Sequence, residues 1–255
     1  MQHDYNGEAL RQALSQLPTA PRLCLFEEID STNAEARRCL INGEEGCVLY
    51  LANRQTAGRG RLGRSFHSPE TGVYLSLLFP LTAALPSAVS VTCAASVAVM
   101  RAIRRVTGIQ TEIKWVNDLY RGGKKVCGIL TEAATIGDRT NLIVGIGINL
   151  RSSEFPPELC KIAGSLNADT ASKDALVIAI LQELIPWLQH PEDHSWLEDY
   201  RRFSCVLGKH VTWMENGIAS HGVAVGIDGH GALTLQTDSG EHHTLRTGEI
   251  SLRLC

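Results

Sequence analysis

Residues 55–64 read Gln-Thr-Ala-Gly-Arg-Gly-Arg-Leu-Gly-Arg, which places three glycines and three arginines within ten positions. Glycine lets backbone N–H groups approach a ligand closely, and guanidinium groups add fixed charge with planar donor geometry. The segment therefore predicts a loop that binds phosphate or carboxylate. A solvated basic loop without a ligand is the alternative, but the entropic cost of three closely spaced glycines favours the functional interpretation.

The same glycines, Gly58, Gly60 and Gly63, also match the pattern G-x-G-x-x-G. In dinucleotide-binding folds that loop leaves a strand and opens directly into a helix. Here residues 64–72 read Arg-Ser-Phe-His-Ser-Pro-Glu-Thr-Gly and end in turn residues. We therefore reject a dinucleotide-binding fold.

The composition is that of an ordinary soluble globular chain. It has 255 residues, 44% hydrophobic and 20% charged, with a formal net charge of −3. That charge argues against a general nucleic-acid binder. The eight cysteines include no C-x-x-C pair, which disfavours a zinc site or a disulfide framework. With no apolar signal segment and no membrane-spanning run, we expect a cytoplasmic protein without a membrane partner.

Hydrophobic patterns predict two domains. Strands are expected at 47–52 and 73–79, on either side of the basic loop, and as a hairpin at 125–135 and 141–150. Helices are expected at 87–106, with Gly108 just beyond, at 174–188 and at 196–202. Short alternating runs at 209–213, 219–227, 232–236 and 243–245 predict a small β-barrel. The proposed division is 1–204 and 205–255.

The segment Asp30-Ser31-Thr32-Asn33 precedes a helical pattern. Thr32 is predicted to cap that helix, with Glu35 completing a capping box. This leaves Ser31 and Asn33 as short polar groups that could bind an amide-like or urea-like ligand.

Three further segments carry candidate chemistry. Residues 114–118 read Lys-Trp-Val-Asn-Asp, and 122–130 read Gly-Gly-Lys-Lys-Val-Cys-Gly-Ile-Leu, where one lysine is expected to enter a site. Two solvated turn lysines are the alternative there. Residues 145–149 read Gly-Ile-Gly-Ile-Asn, and two glycines on one strand face imply that something packs against bare backbone.

In this order, these segments resemble the biotin–protein ligases. The resemblance runs from Ile29 to about Leu150, with a weaker match near residues 248–253. It implies an α+β fold: a mixed β-sheet packed with helices, like the class II synthetases, followed by a small SH3-like β-barrel. Two positions depart from the family pattern. Val116 replaces a usual proline, and Phe66 replaces a usual tryptophan, which puts local rigidity and adenine stacking in question.

The resemblance also implies residue roles. Lys125 and Arg61 are the expected catalytic groups. The expected biotin-binding residues are Ser31, Thr32, Asn33, Gln55, Gly58, Arg59, Gly60, Arg61 and Lys125. The expected ATP-binding residues are Arg61, Arg64, Phe66, Asn117, Asp118, Lys125 and Asn149. No metal ligands are assigned.

The implied activity is the ATP-dependent joining of biotin to a lysine of a biotin carboxyl carrier protein, through biotinyl-5′-AMP and with Mg²⁺. Only about twenty residues precede the catalytic segment, so no DNA-binding domain and no DNA partner are expected. The oligomeric state stays open, with a homodimer as the candidate. A lipoate or octanoate ligase of the same fold and a non-enzymic anion- or nucleic-acid-binding module are the alternatives.

Overall fold

A seven-stranded mixed sheet forms the centre of the larger part of the molecule. The structure is a computed structural model and describes residues 5–81, 87–151, 155–215, 218–246 and 250–252. Its helices and strands, in chain order, are α1 (Gly7–Leu14), β1 (Arg22–Ile29), α2 (Thr32–Ile41), β2 (Val48–Gln55), β3 (Val73–Pro80), α3 (Ala88–Thr107), β4 (Glu112–Lys114), β5 (Asp118–Arg121), β6 (Lys124–Ile136), β7 (Arg139–Ile148), α4 (Lys173–Gln189), α5 (Trp196–Arg202), β8 (His210–Glu215), β9 (Ile218–Ile227), β10 (Leu233–Thr237), β11 (His242–Leu245) and β12 (Ile250–Leu252).

The large sheet has the strand order β1-β2-β3-β7-β6-β5-β4. β1 and β2 are parallel, and the other neighbours are antiparallel. Successive side chains of a strand point to opposite faces of the sheet, so the side chains of β2 pack in two separate hydrophobic cores. Leu49 and Leu51 join the core under α3 and α4, whereas Val48 and Tyr50 join a smaller core under α2. The expected mixed sheet packed with helices is confirmed.

The predicted local elements around the site are confirmed. The basic loop lies between β2 and β3, which are antiparallel neighbours. α3 ends at Gly108, whose φ of 73° lies in the left-handed region that glycine tolerates best. β6 and β7 form the expected hairpin, turning at Gly137.

The C-terminal part is a five-stranded antiparallel sheet of order β11-β10-β9-β8-β12, which matches the expected small all-β domain. It contacts the larger part closely. The indole Nε1 of Trp115 donates to the Gly231 carbonyl at 2.9 Å, and the Arg201 Nε donates to the Ile227 carbonyl at 2.9 Å. The Cys205 N–H bonds the Ile113 carbonyl of β4, beside the predicted 204/205 boundary, which stays a prediction.

The seven cysteines in the described residues are free thiols. Burial raises the pKa of Cys47 to about 12 and that of Cys205 to about 11. These two thiols are therefore protonated near neutral pH. Within the described residues, no helix is long and apolar enough to cross a membrane.

Candidate active site

The start of α2 differs from the prediction. Ser31, not Thr32, is the N-cap: its backbone is extended, and its hydroxyl accepts from the Ala34 N–H at 3.4 Å. Thr32 is the first helical residue. Glu35 does not close a capping box, because its carboxylate accepts from Arg38 Nε at 2.8 Å instead. The predicted cap is wrong by one position, since a hydroxyl on either residue fits the sequence pattern. The predicted capping box is wrong because the residue three positions after the actual cap is Ala34.

Asp30, just before α2, is part of the same helix start. It accepts from the Ser31 N–H at 2.7 Å and from both terminal nitrogens of Arg38 at 2.7 and 2.8 Å. The hydrogen bonds from Arg38 are the main reason that the pKa of Asp30 falls to about 2. The turn that carries Ser31 is therefore held by a carboxylate that stays ionised.

Thr32 and Gln55 connect α2 to the end of β2. The Gln55 Oε1 accepts from the Thr32 N–H at 2.8 Å and lies 3.1 Å from the Thr32 hydroxyl. The Gln55 Nε2 donates to the Ser68 hydroxyl at 3.0 Å, which fixes the orientation of the amide. Both side chains predicted to bind a ligand are thus held before any ligand arrives.

The glycines of β7 receive side chains from outside the strand, as predicted. A Cβ at Gly145 would lie 2.0 Å from the Asn33 Oδ1, and a Cβ at Gly147 would lie 2.6 Å from the Phe66 ring. The fully buried Ser76 hydroxyl donates to the Asn33 Oδ1 at 2.5 Å. Asn33 and Phe66 therefore sit directly against bare backbone, where any larger residue would displace them.

The basic loop is folded back on itself. Arg59 and Ser65 form a bridge, the Gly60 N–H bonds the Arg64 carbonyl at 2.7 Å, and the Phe66 N–H bonds the Gly58 carbonyl at 2.8 Å. Of the three loop glycines only Gly63 has a positive φ, 74°. Gly58 is needed for another reason, because a Cβ there would lie 2.5 Å from the Phe66 carbonyl oxygen.

Lys125 enters the site and Lys124 does not. The Lys125 Nζ lies 2.7 Å from the Asp118 Oδ1 and 5.9 Å from the centre of the Phe66 ring. A Cβ at Gly128 would lie 3.0 Å from the Lys125 Cε, so this glycine makes room for the lysine side chain. The Lys124 Nζ donates to the Cys160 carbonyl at 2.9 Å, outside this cluster. The alternative of two solvated turn lysines is wrong.

Asn117 ties the basic loop to the sheet. Its Oδ1 accepts from Arg61 at 3.3 Å, and its Nδ2 donates to the Ile129 carbonyl at 2.9 Å. The preceding Trp115–Val116 peptide bond is cis. Asn117 therefore positions one of the arginines that the sequence predicted to bind anions.

These groups line two adjoining cavities. We call the first the narrow cleft; its volume is about 40 Å³, and its polar lining residues are Ser31, Thr32, Asn33, Gln55, Arg59, Arg61, Asn117 and Lys125. Small-ligand pockets usually hold about 300–1,000 Å³, so the narrow cleft is small for a ligand of ordinary size.

The second, which we call the wide cavity, holds about 590 Å³. It is lined by all seven residues predicted to bind ATP: Arg61, Arg64, Phe66, Asn117, Asp118, Lys125 and Asn149. Eight of the nine predicted biotin-binding residues line the narrow cleft, Gly58 being the exception. Gly60, Arg61, Phe66, Asn117 and Lys125 line both cavities and form their junction.

Several lining residues were given no role from the sequence. Lys114 lines the wide cavity with its Nζ 5.2 Å above the Tyr120 ring, and it belongs to a segment that the sequence analysis had singled out. His67, Phe155 and Ile250 also line this cavity. Ile250 comes from the C-terminal sheet, and no local sequence signal indicates that it reaches the site.

Comparisons with known proteins agree with this geometry. Residues 25–149 match the biotin/lipoate A/B protein ligase family, and residues 206–253 match the biotin protein ligase C-terminal domain. A bifunctional ligase/repressor BirA of Bacillus spizizenii is 35% identical over 222 residues, covering 83% of this chain and 68% of that protein. A biotin–[acetyl-CoA-carboxylase] ligase of Paracoccus denitrificans is 30% identical, covering 85% of this chain and 95% of that protein.

Among solved structures, the biotin protein ligase of Aquifex aeolicus in complex with biotin and ATP has a TM-score of 0.76 and 30% identity. The match covers 91% of this chain and 98% of that one. The fold and both matched segments define a class of acid-activating ligases, and this chain belongs to the biotin/lipoate A/B protein ligase family. The Paracoccus denitrificans and Aquifex aeolicus proteins are named as biotin ligases, and the Bacillus spizizenii protein is named as a ligase/repressor. These names argue against a non-enzymic binding module.

Proposed function

We propose that this protein is a biotin–protein ligase, which activates biotin with ATP to biotinyl-5′-AMP and transfers biotin to a lysine of a carrier protein. One observation carries the proposal: a polar narrow cleft and a wide cavity meet at Arg61 and Lys125. A ligase that joins a carboxylate to the α-phosphate of ATP needs two sites that open onto one cationic junction.

In this proposal the narrow cleft binds biotin and the wide cavity binds ATP. Ser31, Thr32, Asn33 and Gln55 face the ureido ring, whose N–H and C=O groups need buried polar partners. Arg59, Gly60 and Arg61 lie toward the biotin carboxylate. Gly58 acts indirectly: it lets the basic loop pack against the backbone at Phe66, which holds Arg59, Gly60 and Arg61 in place.

In the wide cavity, Phe66 offers a ring face, and Arg64 and Lys114 offer positive charge beside it. The Nδ2 of Asn149 donates to the Gly164 carbonyl at 2.9 Å, so its amide oxygen is the group left to face a ligand. Asp118 supplies a carboxylate to the wide cavity, where it pairs with Lys125 of the junction. One carboxylate with amide oxygens fits Mg²⁺ that arrives on ATP phosphates, because Mg²⁺ keeps much of its shell as water and phosphate oxygen. When bound, the ion offsets charge on those phosphates.

In the first step a biotin carboxylate oxygen bonds to the α-phosphorus, and the bond from that phosphorus to the bridging oxygen breaks, releasing pyrophosphate. Lys125 and Arg61 offset the repulsion between the two anions and stabilise the charge that grows on the phosphorus oxygens. The Asp118 carboxylate orients the Lys125 ammonium until a substrate phosphate binds that ammonium in its place. In the second step the carrier lysine amine bonds to the acyl carbon, loses a proton and displaces AMP.

We further propose a division of the chain at 204/205, a cytoplasmic location and a biotin carboxyl carrier protein as the acceptor. The names of the Paracoccus denitrificans and Mycobacterium tuberculosis relatives, biotin–[acetyl-CoA-carboxylase] ligases, support that acceptor. We do not propose that the protein binds DNA. We propose a homodimer as its candidate oligomeric state. A gel-shift assay at physiological salt and sedimentation at several protein concentrations test these two points.

The decisive experiment is ATP–pyrophosphate exchange without any carrier, with biotin, lipoate and octanoate as alternative acids. We expect exchange with biotin alone. Exchange with lipoate or octanoate but not with biotin would show instead that the protein is a lipoate or octanoate ligase of the same family. No exchange with any acid, from protein shown to be folded, would refute the adenylation chemistry.

A further inference from the structure

Lys114 of β4 lines the wide cavity but not the narrow cleft. Its side chain is half-buried, and its ammonium lies 5.2 Å from the centre of the Tyr120 ring and donates to the Tyr120 hydroxyl at 3.4 Å. Within the described residues this ammonium forms no ion pair. A charge that is partly removed from water is costly unless an opposite charge meets it, so Lys114 is suited to an anionic ligand in the cavity.

Lys114 is one of four side chains that three neighbouring strands direct into the wide cavity. Lys114 and Asp118 are partners between β4 and β5, and Tyr120 and Lys125 are partners between β5 and β6. The contacts cross these pairs, because the Lys125 Nζ lies 2.7 Å from the Asp118 Oδ1 while the Lys114 Nζ lies over the Tyr120 ring. The two lysines therefore approach β5 from opposite sides, at different positions along it.

The junction of the two cavities indicates where the phosphates of ATP lie. The biotin carboxylate must reach the α-phosphorus, so that phosphorus belongs beside Arg61 and Lys125, which line both cavities. With biotin in the narrow cleft, the β- and γ-phosphates extend into the wide cavity. Adjacent strands lie about 4.8 Å apart, so β4 is about 10 Å from β6. Two P–O–P linkages and a lysine side chain together span that distance.

We infer that Lys114 binds the β- and γ-phosphates of ATP and the pyrophosphate that they become. The inference rests on the proposed function, because it assigns a residue to the leaving group of the adenylation step. When the bond from the α-phosphorus to the bridging oxygen breaks, its electron pair stays on that oxygen. Pyrophosphate therefore has one more negative charge than the same two phosphates have in ATP. A lysine ammonium, a compact charge with three donors, suits a phosphate group that must also leave.

The experiment measures the KM for pyrophosphate, ATP and biotin in exchange assays of Lys114→Met. We expect the KM for pyrophosphate and for ATP to rise about 10-fold or more, the size of one lost hydrogen bond to a charged group. The KM for biotin should stay unchanged. Lys114→Arg keeps the charge and should restore most of the affinity for pyrophosphate. Lys124→Met is the matched control, because it removes the same charge from a lysine outside the wide cavity, and all three KM values should stay unchanged.

Biotinyl-5′-AMP separates this role from a purely structural one, because it has the α-phosphate but neither of the other two. Its Kd, measured by isothermal titration calorimetry, should be the same for Lys114→Met and wild type. Equal losses of affinity for biotinyl-5′-AMP and for pyrophosphate would overturn the inference. Such a result would place Lys114 beside the adenosine or make it a residue that supports the fold of the whole cavity.

Tyr120→Leu is the second variant, in case Lys114→Met does not fold. It removes the ring beneath the ammonium, so the KM for pyrophosphate should rise about 2–5-fold, the size of one cation–π contact. An unchanged KM for pyrophosphate in the folded variants would overturn the inference while leaving the ligase activity intact. Absence of biotin-dependent exchange in wild type would instead overturn the proposed function.

Discussion

Gly145→Ala should disturb the molecule at one identifiable contact. Gly145 lies on β7 between Ser76 of β3 and Leu130 of β6. An added Cβ would lie 2.0 Å from the Asn33 Oδ1, 2.7 Å from its Cγ and 2.9 Å from its Nδ2. The amide would have to retreat about 1.5 Å to reach an ordinary contact of about 3.5 Å. The three hydrogen-bond partners of the Asn33 amide, Ser76, Glu132 and the Leu130 carbonyl, oppose that movement.

The size of the effect follows from those bonds. A displacement of that length breaks the 2.5 Å bond from Ser76 and the 2.9 Å bond to Glu132. A neutral bond contributes about 1 kcal/mol net and one to a charged group about 1.5–3 kcal/mol, while overpacking a core costs about 1–3 kcal/mol. Because these terms overlap, we expect the free energy of unfolding to fall by about 2–4 kcal/mol. Tm should then fall by about 5–15 °C.

Urea and thermal unfolding, followed by circular dichroism, measure this change. Gly226→Ala is the matched control, because Gly226 is also a strand glycine but has only the Thr234 Cβ, at 3.9 Å, near an added Cβ. The double variant Gly145→Ala with Asn33→Ala tests the cause. Removing the amide relieves the clash, so the double variant should be more stable than Gly145→Ala alone.

Two results would refute this reasoning. One is a Gly145→Ala protein as stable as Gly226→Ala, which would mean that the sheet absorbs the methyl group. The other is a double variant whose loss of stability equals the sum of the two single losses. That sum would show that the Cβ and the Asn33 amide do not meet.

Other predictions follow from the same contacts. Lys125→Met should lower kcat for exchange by about 10²–10³-fold, with a much smaller change in biotin affinity. Lys124→Met should leave both quantities nearly unchanged. An equal fall in kcat for the two variants, measured by steady-state kinetics, would contradict the proposed site. Backbone amides of residues 56–66 should gain protection from hydrogen exchange when biotin and ATP bind, and unchanged protection would mean that the loop is preformed. Because the pKa of Asp30 is lowered in the folded protein, its pair with Arg38 adds to the free energy of unfolding above about pH 4. This contribution is lost as the pH falls toward 2. Arg38→Ala should therefore flatten the pH dependence of unfolding in that window, and an unchanged slope would show that the pair is not responsible.

Much of the architecture follows from local sequence signals. The α3 helix, the β6–β7 hairpin and α5 appear within about one or two residues of their predicted bounds, because apolar periodicity and a terminal glycine are local properties. The division of the site residues into a biotin set and an ATP set came from the family resemblance. Eight of the nine residues of the biotin set line the narrow cleft, and all seven of the ATP set line the wide cavity. Gly60, Phe66 and Asn117 were each assigned to one set but line both cavities.

The choice between adjacent residues needed the fold. Period-two alternation predicts that only one of Lys124 and Lys125 enters the site, but a register shift between Leu119 and Tyr120 of β5 affects their pairing. Likewise, a hydroxyl at Ser31 or at Thr32 can cap a helix. The extended backbone of Ser31 settles which one does so.

The sequence by itself determined that this chain has a glycine- and arginine-rich loop between two strands and carries the motifs of its family, which imply a mixed sheet. Only the tertiary structure decided how the polar end of the narrow cleft is built. Asn33 meets Glu132 across 99 positions of sequence and Ser76 across 43. Such contacts depend on strand order and register across the sheet, which no local pattern encodes, because side-chain period specifies a face but not the neighbour that faces it.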